Sequence, residues 1–107
     1  MKADNMLDVK PAVLRKIIKV LSGNVPEYEV LAYGPRATGR ASPRSYLDLA
    51  VMSDSPLGEA RLEKLSADFL AAGLPFRVET VDWAATGAAY RKEIKRTAVT
   101  LRRSSGK

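Results

Sequence analysis

The feature that most constrains this chain is the twelve-residue stretch Gly34 to Ser45, which holds two Gly, two Pro, two Ser and three Arg between two short apolar runs. Such a composition cannot continue a helix or a strand, so it must be a loop, and its arginines give it a strongly positive tip. The runs it separates, Glu27 to Tyr33 and Tyr46 to Met52, read as strands, with Tyr28, Val30 and Ala32 on one face of the first. The second run carries an acid, Asp48, close to its start. A loop of this kind feeding a strand with a carboxylate is what phosphate chemistry requires. Glycine lets backbone N–H groups approach phosphate oxygens, arginine neutralises charge, and carboxylates hold a divalent cation against the same phosphates.

The flanking segments have helical periods. Pro11 suits a first helical position, and Leu14, Ile17, Ile18 and Leu21 fall at i, i+3, i+4 and i+7 before Gly23. From about Leu57, the residues Leu62, Leu65, Phe69 and Ala72 mark a second amphipathic helix that ends at Gly73. Phe76 to Trp83 reads as a third strand with Arg77, Glu79, Val81 and Trp83 on one face. A third helix is expected from about Thr86 to Arg96, and Val99 to Leu101 either extends it or forms a short edge strand. The order predicts an α/β (α+β) fold, a small mixed sheet flanked by helices. One domain over 1–107 is expected, with 1–9 and 102–107 flexible.

Composition narrows the chemistry. The 107 residues include neither Cys nor His, which excludes zinc fingers, Ser-His-Asp triads and Cys-His dyads. Any metal must be a hard cation held by carboxylate oxygens, namely Mg²⁺, Mn²⁺ or Ca²⁺. Eighteen Lys and Arg against twelve Asp and Glu give a net charge of +6, a field that attracts polyanions such as nucleotides. No apolar run approaches the about 18 residues of a membrane helix, and the first ten residues lack the apolar core of a signal peptide. The expected location is the cytoplasm.

The loop and strand together resemble the minimal nucleotidyltransferases (MNT) of the polymerase β-like superfamily. Their signature is Gly-Ser, ten residues, then Asp-x-Asp. Gly34-Pro35, the ten residues Arg36 to Ser45, and Tyr46-Leu47-Asp48 reproduce that spacing. The likeness continues through Leu7 to Pro11, Val25 to Tyr28 and Leu74 to Ala84, so it covers nearly the whole chain. It implies the polymerase β palm-like fold, with Gly34, Pro35 and Arg36 at the nucleotide and Asp48 and Glu79 as catalytic and metal-ligating acids. The implied reaction is transfer of a nucleoside monophosphate, AMP above all, from Mg²⁺ or Mn²⁺ with ATP or another NTP to a hydroxyl of a helical HEPN partner.

Two positions depart from the signature. Pro35 stands where the family has Ser and Tyr46 where it has the first Asp, so one carboxylate of three is missing. A phenol with a pKa of about 10 is neutral at pH 7 and a poor ligand for a hard cation. Weak or lost activity is the expectation, and the alternative is a non-catalytic module that acts by complex formation with a HEPN protein. Nucleic-acid binding through the positive surface is the weaker alternative, and a homo-oligomer stays open. Arg40 and Arg44 are read as solvated or phosphate-facing, Tyr46 as a partly buried strand aromatic or a base-stacking ring, and Trp83 and Tyr90 as core or interface residues. Asp82 is expected to cap the helix that follows it near Ala84 to Thr86.

Overall fold

The computed structural model describes residues 7–104; the remaining residues expected to be flexible, 1–6 and 105–107, lie outside the described residues. Helix α1 (Pro11–Asn24) leads into strand β1 (Val30–Tyr33), the four-residue helix α2 (Pro35–Thr38) and strand β2 (Leu47–Val51). Helix α3 (Glu59–Ala71), strand β3 (Val78–Asp82), a single 3₁₀ turn (Trp83–Ala85), helix α4 (Ala88–Thr97) and strand β4 (Val99–Arg102) complete the chain. The loop expected over Gly34 to Ser45 therefore contains one short helix, started by Pro35 at its first position and stopped by Gly39 in the left-handed conformation.

The strands form one sheet in the order β3-β2-β1-β4. Strand β1 is antiparallel to both neighbours, while β2 and β3 are parallel. That parallel pair needs a crossover, and α3 supplies it. The sheet is therefore mixed, as the sequence predicts. Val99 to Arg102 takes the second of its two expected forms, an edge strand on β1.

The sheet is buried unequally on its two faces. Val30, Ala32, Leu47, Leu49 and Val51 point to one face and pack with Ile17, Leu21, Leu65 and Phe69 from α1 and α3. Leu31, Tyr33 and Ala50 point to the other face, where Ile94 of α4 covers them. This is why β1 is buried along its whole length rather than alternating. Helix α4 lies over β1 and leaves the starts of β2 and β3 uncovered: Asp48 is half-buried and Glu79 exposed.

Three sequence expectations are corrected. On α1 the inward stripe is Val13, Ile17, Val20 and Leu21, with Leu14 and Ile18 half-buried beside it. The chain before α1 does not fray from Leu7 onward: Leu7 and Val9 pack on the main core, and Asp8 N–H donates to the Arg36 carbonyl at 2.7 Å. At the other end Arg102 is part of β4 and donates to Ser22 Oγ and the carbonyls of Pro26 and Tyr28. Each segment is held by contacts with residues far away in sequence.

Candidate active site

Asp48 and Glu79 are register partners in the parallel β2–β3 ladder. Partners in such a ladder project to the same face from strands about 4.8 Å apart, so the two carboxylates are neighbours. Tyr33 pairs with Asp48 across the antiparallel β1–β2 ladder. Glu79, Asp48 and Tyr33 thus make one row across three strands, at the end where β1 finishes and β2 and β3 begin.

The turn after β1 completes the site. Gly34 has φ +80°, and a Cβ at that position would lie 2.6 Å from Asp48 Oδ2. Only glycine accepts both that backbone conformation and that proximity. Gly34 N–H donates to Thr97 Oγ1 at the end of α4 (3.2 Å), tying the turn to the helix. A cleft of about 610 Å³ opens here, lined by Gly34, Pro35, Arg40, Asp48, Tyr90 and Arg96 among others. Glu79 borders a second groove of about 520 Å³ that runs along the outer edge of β3 beside α3.

None of the three ion pairs among the described residues involves Asp48 or Glu79. Burial, and then the charge of Glu79, hold the Asp48 carboxyl above its ordinary range. The Tyr33 phenol is pushed far up, first by burial and then by its hydrogen bond with Tyr90, so it stays neutral. Two carboxylates pressed together without a cation suit one hard divalent ion completed by oxygens from another molecule. They do not suit an all-protein cage, because no cluster of three or more acidic ligands exists among the described residues.

The structure redirects three residues. Arg36 does not face the cleft. It is 6% exposed, donates to the carbonyls of Asp8, Ser42, Pro43 and Ser45, and lies 4.0 Å over the Phe76 ring. It therefore fastens the loop and the segment before α1, while Arg40 is the loop arginine on the cleft. Tyr46 precedes β2 and is 44% exposed, with the Arg77 guanidinium 5.8 Å from its ring, so it is not the partly buried strand aromatic expected. Asp82 does not cap the following turn. Its buried carboxylate accepts from Ser53 Oγ and from Leu57 N–H (2.8 Å), fixing the β2–α3 connection. The sequence carries no signal that Arg96 or Thr97 belongs to the site, since only the packing of α4 on β1 brings them to the turn.

A four-stranded mixed sheet with a glycine turn set against carboxylates on adjoining strands is the palm of a nucleotidyltransferase. Solved structures share the fold. A toxin–antitoxin crystal structure with AMP-PNP superposes with a TM-score of 0.72 at 24% identity, over 86% of this chain and 74% of the other. An MNT antitoxin in complex with the tri-AMPylated Shewanella oneidensis HEPN toxin gives 0.65 at 21%, over 87% and 71%. No family model matches the sequence. A probable protein adenylyltransferase, MntA of Haemophilus influenzae, is 37% identical over 95 residues, covering 89% of this chain and 83% of its own. The chain belongs to the MntA family of minimal nucleotidyltransferases.

Proposed function

We propose that this protein binds a nucleoside triphosphate, ATP above all, in the cleft beside Gly34 and Asp48, and pairs with a HEPN-family protein whose hydroxyl is the acceptor. The observation that carries this reading is the register pairing of Asp48 with Glu79 beside a turn where only glycine fits. The relatives support the nucleotide and the partner: a probable protein adenylyltransferase, a toxin–antitoxin structure with AMP-PNP, and an AMPylated HEPN toxin in complex with an MNT antitoxin.

In this reading Asp48 and Glu79 hold one Mg²⁺, which when bound supplies charge neutralisation at the phosphates. Arg40 meets phosphate charge from the loop side. The acceptor reaches Glu79 from the groove along β3. Transfer forms a bond between the acceptor oxygen and the α-phosphorus, breaks the bond from that phosphorus to the oxygen bridging to the β-phosphate, releases pyrophosphate and passes the acceptor hydroxyl's proton to solvent. Tyr46 stands where the family carries the acid that helps orient that oxygen, and Pro35 offers neither hydroxyl nor backbone N–H to a phosphate. Loss of several kcal/mol of transition-state stabilisation lowers the rate about a thousandfold or more. The chain thus acts on its partner chiefly by binding.

The test is incubation with labelled ATP, Mg²⁺ and a HEPN-family protein from the same genome, alongside co-purification of the two proteins. A stable complex with little label on the partner is the expected result. Robust transfer by the chain as it stands would refute the role assigned to Tyr46, and absence of both complex and nucleotide binding would refute the whole reading.

A further inference from the structure

Tyr90 lies outside every motif of the sequence, on α4 one turn before Ile94, the residue that seats the helix on the sheet. It is 48% exposed and lines the cleft. Its position is nevertheless fixed. Its hydroxyl is 3.1 Å from that of Tyr33, and the two rings meet nearly perpendicular, at 83° with centroids 6.2 Å apart. Tyr33 is buried and pairs with Asp48 across the β1–β2 ladder. A half-open aromatic ring is therefore held at a set offset from the carboxylate that faces the same cleft. Tyr33 and Tyr90 are the aromatic residues lining this cleft among those described, and Tyr33 is buried.

We propose that Tyr90 is the nucleoside-binding residue of the cleft: its ring stacks on the base of a nucleoside triphosphate whose phosphates lie toward Gly34 and Asp48. This rests on the reading of the cleft as a nucleotide site. The cleft volume is within the range of small-ligand sites, and its phosphate-side wall, Gly34, Pro35 and Arg40, offers no aromatic ring for a base. Stacking accepts every base because each has a π-face, so the ring anchors the base without itself choosing between ATP and GTP.

Calorimetric titration of the wild type, Tyr90→Ala, Tyr90→Leu and Tyr90→Phe with ATP and separately with inorganic tripolyphosphate, all with Mg²⁺, tests the assignment. Tyr90→Ala and Tyr90→Leu should weaken ATP about tenfold or more while changing tripolyphosphate less than about twofold. Tyr90→Phe should retain most of the ATP affinity. Tyr90→Leu keeps apolar bulk on α4, so its result stands if the alanine variant is poorly folded. Unchanged ATP binding in both non-aromatic variants, or equal loss of ATP and tripolyphosphate, overturns the role of Tyr90 alone. A wild type that binds neither probe overturns the nucleotide site itself, and this assignment with it.

Discussion

The carboxylate of Asp48 stands where a side chain at position 34 would have to go: a Cβ built on Gly34 would lie 2.6 Å from Asp48 Oδ2. The end of β1 and the start of β2 are thereby locked to each other at the mouth of the cleft. Gly34→Ala adds both a clash with Asp48 and the strain of φ +80°. It should cost about 1–3 kcal/mol and shift the carboxylate. Urea denaturation measures the first effect and titration with Mg²⁺ and ATP the second. A variant of wild-type stability and affinity would show that the turn relaxes freely.

Arg36 gives a contrasting expectation. Its guanidinium serves four backbone carbonyls and an aromatic ring, so Arg36→Met should lower stability by about 3 kcal/mol by leaving buried acceptors unpaired. Arg36→Lys should recover little, because an ammonium cannot span the same fork of acceptors. Affinity for tripolyphosphate, measured where the variant is still folded, should fall only as far as the loop loosens. A large affinity loss at unchanged stability would return Arg36 to the phosphate.

The raised pKa of Asp48 sets a pH dependence with a definite sign. Its folded form holds the proton more tightly than the unfolded chain, whose ordinary value is 3.8. The folded state therefore binds more protons across that window, and stability falls as pH rises from about the ordinary value through the raised one. Glu27, Asp68 and Glu93 are shifted down by hydrogen bonds from Arg61, Lys64 and Arg96 respectively. Their contributions have the opposite sign and are lost as pH falls. The comparison must therefore be made between wild type and Asp48→Asn. Without divalent ions the variant should be the more stable at pH 7, and the advantage should shrink toward pH 3. Identical profiles for the two proteins would contradict the crowding of Asp48 against Glu79.

Restoring the missing acid should exchange stability for metal dependence. Tyr46→Asp combined with Pro35→Ser places a third carboxylate beside Asp48 and Glu79, neither of which has an ion-pair partner among the described residues. The double variant should melt lower than wild type in EDTA and gain more from Mg²⁺, since an ion that binds only the folded state stabilises it. Transfer of labelled nucleotide to the partner should rise by about a hundredfold or more. A double variant with no Mg²⁺-dependent change in melting would mean that position 46 does not reach the acids.

Much of this protein is written locally. The apolar runs within Glu27 to Tyr33 and Tyr46 to Met52 locate two strands, and the spacing of Leu65 and Phe69 finds the buried side of α3. Gly34 and Asp48 stand out because a glycine-bearing loop leads directly into a strand that carries an acid, whereas Glu79 is picked out only by the resemblance to the minimal nucleotidyltransferases, its pairing with Asp48 being made by the β2–β3 ladder. Fates that depend on distant residues are not legible in the same way. Arg36 and Arg40 look alike within the loop, yet one turns inward because the carbonyls of Asp8 and Ser45 and the ring of Phe76 converge on it, and the other faces the cleft. Asp82 finds Ser53 and Leu57 rather than the turn beside it.

Residue type and period thus located the strands, the helices and the loop that leads to Asp48. Which of them meet was decided by the tertiary structure, because α4 must cross β1 before Tyr90, Arg96 and Thr97 arrive at the turn. A local segment encodes its own periodicity, whereas a side chain's partner is chosen by the packing of elements that the segment does not contain.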